Sequence, residues 1–434
     1  MPLPLDDVPP VTDESASFDL IAHRSSDLLQ AIAFNAYGDR CATGSVDGQI
    51  RIFNRRKDGI WQLSDSWSAH PGEILELQWL PPTVYPNIVA SLGIEGRFKL
   101  WAEDDTAAPG RRFSAKNNNP RAAFESRSNK SPYRSFSMKH NEETRYTYFA
   151  FLCADGRLSV HEGEEPENLA DYSEVDEFQA LPKPSRGEET CFKVRFDPNP
   201  EPCYKALRAG VPTDALSLVV AGMTTVKVFR SRDIVASSFG AATRAREFYQ
   251  AIEIKGHRGL VRDVAWAPGN FRGHDMIATA CQDGFVRVFR IDTPYNKDDG
   301  RSWAVADITG KDKAETAGQA GPSTPAQNNN QPKGPQQAHS GIRAELDKSG
   351  THAERSNTGQ VGQINHTVRE LSKLESHRSP VWRVGFDDDG QILGSVGDEG
   401  KLMCYRQKAD GTWAKSSELG MMKQRLVIPQ NLSG

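Results

Sequence analysis

Four histidines, His23, His70, His257 and His377, each precede an acidic residue by about 20–26 positions: Asp47, Glu95, Asp283 and Asp398. An imidazole beside a carboxylate is the pairing of general acid–base catalysis, and a histidine can equally ligate a metal. Here the pair recurs four times, each time just ahead of an apolar alternating run. A pair repeated at a repeated place reads as a structural tether, a histidine on one loop bonded to an acid on a nearby turn. The acidic steps Asp104-Asp105, Asp298-Asp299 and Asp387-Asp388-Asp389 read as turns. Nothing beside them would raise one carboxyl pKa, as a two-carboxylate site requires.

The six cysteines, Cys41, Cys153, Cys191, Cys203, Cys281 and Cys404, stand singly, with no C-x-x-C pair and no zinc-ligand spacing. They are expected as small buried hydrophobes in a reducing compartment. No nucleophile-elbow, H-E-x-x-H, Walker or dinucleotide-binding signature occurs in a suitable context. The chain is therefore expected to be no enzyme and to hold no metal, cofactor or small-molecule substrate. Residues 111–134 carry Arg111, Arg112, Lys116, Arg121, Arg127, Lys130 and Arg134 against Glu125 alone. With only Phe113, Phe124 and Tyr133 as aromatics and no stacking platform, this run reads as a solvated loop. The whole chain, 53 basic against 57 acidic residues, lacks the basic excess of a nucleic-acid binder, and no direct nucleic-acid contact is expected.

The residues weighed above sit in a repeat. An apolar run, a tight turn and an alternating run ending in an aromatic or histidine recur as CATGSVDGQIRIF (41–53), VASLGIEGRFKLW (89–101), AFLCADGRLSVH (150–161), VVAGMTTVKVF (219–229), IATACQDGFVRVF (277–289) and LGSVGDEGKLMCY (393–405). Five of these turns are acidic-Gly steps, in which glycine supplies a positive φ; Met223-Thr224-Thr225 replaces that step in the fourth. Period-two alternation on either side marks half-buried strands. A further strand-like run precedes each unit, and a fourth follows most of them; in the second unit it is placed loosely near Arg112–Ser114.

Six units of four strands, with no helical heptads, predict an all-β propeller over 17–420. Residues 1–16 and 421–434 read as tails, and the Gln/Asn/Gly/Pro-rich stretch 296–365 as a disordered surface insertion. The N-terminus lacks a signal peptide, and no run of about 18 apolar residues suggests a membrane span, so a soluble intracellular protein is expected. One strand-like run, FDLIAH (18–23), is left over, because the last unit has its own fourth strand in TWAKSSEL (412–419). The count is one strand over for six blades and three short for seven. An orphan strand and uncovered blade faces are liabilities unless a partner covers them.

LVRDVAWAPG and IATACQDGFVRVFRI, together with SHRSPVWRVGFDDDGQILGSVGDEGKL, resemble the fifth and sixth blades of the Sec-thirteen homologue (Seh-type) nucleoporin family. HRSSDLLQAIAFNAYGDRCATGSVDGQIRIF, and the DGIWQLSDSWSAHPGEILELQWL that follows with Trp61, Trp67 and Trp79, resemble that family's first blade. The similarity covers most of 18–419, is weakest in blades three and four, and with the long insertion suits a fungal member. No WD dipeptide occurs; IF, LW, VF and CY stand in its place.

The resemblance implies an open six-bladed WD-repeat propeller whose seventh, three-stranded blade is donated in trans by a helical scaffold nucleoporin. It implies membership of the Y-shaped coat subcomplex at the nuclear pore and nuclear envelope. It further implies a second place in a SEA-type complex of amino-acid signalling at the vacuolar or lysosomal surface. A Sec-thirteen-type vesicle-coat propeller and a closed, peptide-reading WD-repeat adaptor are the alternatives. Under the open reading, Phe18, Leu20 and Ile21 pair with donated strands, and Ile50, Ile52, Trp382 and Phe386 pack against them.

Overall fold

The computed structural model describes residue 21 and residues 27–108, 110–113, 122–238, 241–269, 273–295 and 364–420. Among these, twenty-four strands form six four-stranded antiparallel sheets, each contiguous in sequence and ordered along the chain. These are the blades of a six-bladed, all-β propeller. Sheet one is β1 (Leu29–Phe34), β2 (Arg40–Ser45), β3 (Gln49–Arg55) and β4 (Trp61–Ser68). Sheet two is β5 (Ile74–Trp79), β6 (Ile88–Gly93), β7 (Arg97–Ala102) and β8 (Phe124–Arg127). Sheet three is β9 (Tyr133–His140), β10 (Thr147–Cys153), β11 (Arg157–Gly163) and β12 (Ser173–Gln179). Sheet four is β13 (Phe192–Phe196), β14 (Ser217–Gly222), β15 (Thr225–Ser238) and β16 (Ala241–Ile254). Sheet five is β17 (Val261–Trp266), β18 (Asp275–Cys281), β19 (Val286–Asp292) and β20 (Thr367–Leu374). Sheet six is β21 (Val381–Phe386), β22 (Ile392–Gly397), β23 (Lys401–Gln407) and β24 (Trp413–Gly420).

The chain divides into two compact units. The first, Met1–Arg134 with Pro166–Ala170, carries sheets one and two; the second carries sheets three to six. In both, second strands are buried on two faces, so they are built from small and β-branched residues: IVASLG in β6, SLVVAG in β14 and DMIATAC in β18 are buried throughout. The first unit's core interleaves Ala42, Ile50, Ile52 and Trp67 of sheet one with Ile74, Trp79 and Trp101 of sheet two. In the second unit, Ala278, Ala280, Val286, Val288 and Leu374 of sheet five pack on Val381, Val384, Leu393, Met403 and Tyr405 of sheet six. Four first strands share one register break, at Leu29/Ala31, Ile74/Glu76, Val261/Asp263 and Val381/Arg383, so equivalent residues can be matched blade to blade.

The acidic-Gly steps are the expected turns. Gly48 has φ 76°, and a Cβ there would lie 2.1 Å from the His70 carbonyl oxygen. The fourth sheet solves the same turn without glycine: Met223 takes φ 57° between paired Gly222 and Thr225.

One placement needs revision, and the sheets carry features that the repeat did not announce. The fourth strand of sheet two is β8, not the stretch near Arg112–Ser114. The Phe113 amide instead donates to Asp65 Oδ2 at 2.7 Å, and its ring stacks on Trp67 at 4.9 Å, plugging sheet one. Residues 231–238 and 241–246 continue β15 and β16 as a ribbon beyond the edge of β14. A short helix, α1 (Tyr204–Arg208), lies within the β13–β14 connection, seated by Cys203 and Ala206. Of the orphan run, Phe18 and Leu20 lie outside the described residues, and Ile21 is half-buried and belongs to no strand. Most of the 296–365 insertion, both tails and His23 also lie outside them. The last sheet is completed by its own β24, as the strand count anticipated.

Candidate interaction faces

Sheet one shows one buried face and one bare one. In β1, Ala31 and Ala33 pack toward sheet two, while Ile32 and Phe34 point the other way, 59% and 52% exposed. Register matches Leu29, Ile32 and Phe34 of β1 to Val261, Val264 and Trp266 of β17, which are buried. Leu63 on β4 and Trp61, edge-on to Phe34 at 5.8 Å, widen this apolar surface.

Sheet six shows the converse. Its face toward sheet five is closed; its other face carries Gly394, Val396, Leu402, Cys404 and Leu419. Register matches these to Ala278, Ala280, Val286, Val288 and Leu374 of sheet five, all buried. Val396 and Leu419 are each 37% exposed. Sheet six thus keeps the apolar composition of a covered face without a cover of its own. Scattered surface hydrophobes are ordinary, but a contiguous set in core register marks an interaction site.

This geometry moves several expected contact residues. Ile50 and Ile52 are fully buried against sheet two, so they are unavailable to a partner. Their register equivalents on sheet six are Leu402 and Cys404. Phe386 faces sheet five, edge-on to Trp413 at 5.7 Å. Trp382 is exposed, with the Arg262 guanidinium 4.4 Å from its ring centroid. The sequence reading missed Leu29, Ile32, Phe34, Leu63, Val396 and Leu419, because their apolar alternation is identical to that of covered strands.

The histidine tethers take shape in both units. His70 bonds Glu95 through Nδ1 at 2.6 Å and Ser91 Oγ through Nε2 at 2.8 Å; the Trp101 indole N–H donates to the same Ser91 oxygen at 2.8 Å. His377 bonds Glu399 and Ser395, and Ser395 reaches the Tyr405 hydroxyl at 3.2 Å. Glu399 therefore replaces the expected Asp398, which accepts instead from the Trp382 indole. His257 bonds Thr279 at 3.0 Å, and Asp283 pairs with Arg287 rather than with His257. Burial resists ionising Asp283, but hydrogen bonds led by Arg287 bring its pKa down to about 2. Ser91→Ala should cost about 1–3 kcal/mol, since it leaves both an imidazole and an indole N–H unpaired in the core. Equilibrium denaturation checks this, and a loss below about 0.5 kcal/mol would contradict it.

Two buried histidines make stability pH-dependent. Burial, reinforced by Arg287, pushes His257 down to about 4. Burial likewise pushes His366, held between Tyr249 and Thr293, down to about 3. An unfolded histidine titrates near 6.5, so both contributions are intact above that pH and fade as pH falls toward the folded values. Asp197 acts in the opposite sense, because burial raises it to about 6 even against Lys139. The test is therefore a comparison: His366→Gln should remove about 2 kcal/mol of the acid-induced loss between pH 7.5 and 5. Identical pH slopes in parent and variant would refute the assignment.

No group of three or more His, Cys, Asp or Glu residues suited to a metal occurs among the described residues. In the basic stretch, Arg112 reaches Glu103 and Arg134 donates to the Ile94 carbonyl at 2.7 Å, so these two serve the fold.

The family model for the WD domain, G-beta repeat, matches residues 15–54, 249–290 and 368–406. Nucleoporin SEH1 of Chaetomium thermophilum is 48% identical, over 97% of this chain and 98% of its own. The chain belongs to the SEH1 nucleoporin family. Nucleoporin SEH1 of Saccharomyces cerevisiae is 26% identical over 88% of the chain, and that of Homo sapiens 20% over 91%; the alignments span 93% and 85% of those proteins. The three WD matches fall on sheets one, five and six of this SEH1-family chain, the parts that also hold the two bare faces.

Proposed function

We propose that this chain is a non-catalytic scaffold of the nuclear pore, built into the Y-shaped coat subcomplex by a three-stranded blade that a helical nucleoporin donates in trans. One observation carries the reading: sheets one and six each present a face in core register that no described residue of its own unit covers. A donated blade has two apolar faces of its own, one for Leu29, Ile32 and Phe34, the other for Val396, Leu402 and Leu419. Residues 18–23, with Phe18, Leu20 and Ile21, lend their main chain to the donated strands by β-augmentation. Such an interface buries on the order of 2,000 Å² or more, the obligate class. The family name supports the nuclear envelope as the main location. Other Y-complex subunits bind the remaining surfaces, and a second pool serves a SEA-type complex at the vacuolar or lysosomal surface.

Tagged chain purified from its own cells decides the matter. A stoichiometric helical nucleoporin, retained in high salt and sufficient on co-expression to raise the yield of folded chain, is the expected result. A monodisperse, cooperatively melting monomer with no gain from any co-purifying protein would overturn the proposal. Recovery of vesicle-coat subunits alone would favour the Sec-thirteen-type alternative.

A further inference from the structure

The first strands of sheets four, five and six, all in the second unit, carry Lys193, Arg195, Arg262 and Arg383, and Asp263 is the one acid among them. Asp263 is engaged: its Oδ2 accepts from the Val384 amide at 3.2 Å, and Arg195 lies 3.8 Å from its Oδ1. Arg262 is nine-tenths buried and its Nε has no hydrogen-bond partner. One face of its guanidinium lies 4.4 Å from the centre of the exposed Trp382 ring, whose indole N–H donates to Asp398. Its Nη2 reaches Glu189 Oε1 at 2.6 Å. Arg383 is exposed, and its guanidinium donates to the Trp382 carbonyl at 3.3 Å.

Glu189 is the informative member. It lies in the strandless connection between sheets three and four, and its side chain is 63% exposed. A carboxylate so open to water contributes little by its ion pair and is readily exchanged. A buried guanidinium with a free donor, an aromatic plate above it and an exposed arginine beside it suits a carboxylate from outside better than it suits Glu189. Arginine forks match carboxylates in a way that a point charge does not.

We propose that this cluster is a docking site for an acidic peptide segment of a partner protein, in which a partner carboxylate displaces Glu189 from Arg262 and the segment lies over Trp382 toward Arg383. Arg383 lies across the ladder from Val396, so the site borders the bare face of sheet six; it is built on Arg262, Trp382 and Glu189 rather than on that face.

The test uses the full chain and a fluorescein-labelled hexaglutamate peptide at about 50 mM salt, where surface electrostatics are only partly screened. Hexalysine is the control, and inositol hexakisphosphate the competitor. The parent chain should bind hexaglutamate and not hexalysine. Arg383→Ala and Arg262→Ala should each weaken binding roughly tenfold, the range of one lost charge-assisted contact. Glu189→Gln should tighten it roughly threefold or more, by removing the internal competitor. Glu174→Gln, the same charge change on sheet three, should leave it unaltered. The proposal fails if hexaglutamate does not bind, if Glu189→Gln and Glu174→Gln act alike, or if inositol hexakisphosphate alone binds. Melting temperatures within about 2 °C of the parent separate lost binding from lost fold.

Discussion

Phe34→Arg combined with Leu402→Glu is expected to abolish partner retention while leaving the free chain at least as stable as the parent. Phe34 is 52% exposed and Leu402 half-buried, so neither charge enters a finished core. In the assembled state each charge would be pressed against the apolar face of a donated blade, unpaired and without water. Central interface residues cost more than about 2 kcal/mol each when disrupted, so the pair should weaken binding by about a thousandfold or more. Ile52→Asp is the contrasting variant. It buries a carboxylate between sheets one and two, where Ile52 is fully covered, and should unfold the first unit with or without a partner. If the double variant still co-purifies at parental stoichiometry, the bare faces are not where the partner sits.

The second large effect lies in a buried ion pair. Arg230 at the end of the β14-paired part of β15 and Asp275 at the start of β18 join sheets four and five, 0% and 1% exposed. Arg230 also donates to Ser217 Oγ at 3.1 Å, and the Cys203 thiol lies 3.7 Å from Asp275. Burial opposes the charge on Arg230, but Asp275, Tyr249 and Asp197 together outweigh it and raise the guanidinium pKa further. Asp275→Ala should cost about 3–5 kcal/mol, because it strands a guanidinium in the core. Arg230→Met with Asp275→Leu should return most of that, since two apolar residues carry no desolvation penalty. Denaturant midpoints of the single and double variants make the comparison. A loss under about 1 kcal/mol from Asp275→Ala would show that the charge escapes to water.

The sheets were legible in the sequence because strand alternation and the five acidic-Gly turns agree with each other along the chain. Met223 broke the turn signature without breaking the turn, since the flanking pairs 222–225 already dictate its backbone. Strand β8 was hidden because FESR is short and follows a basic stretch with no alternation. The faces were the hardest feature. Ile52 and Cys404 occupy one register position in sheets one and six, yet only the first is fully buried. Alternation reports that a face is apolar; it cannot report which neighbour covers it. Glu399, not Asp398, holds the His377 tether because it occupies the turn position of Glu95, directly before the turn glycine, while Asp398 matches Ile94; counting from the histidine alone does not separate the two neighbours.

Among the described residues each sheet is made from consecutive strands, and the last finishes on β24. A nascent polypeptide can therefore complete its sheets one after another as it leaves the ribosome, with low contact order inside each. The one long wait falls between β19 and β20, where loop closure grows only logarithmically with length. Lengthening or trimming that connection should shift stability by well under 1 kcal/mol per halving or doubling, which leaves this stretch free to drift in size among related chains.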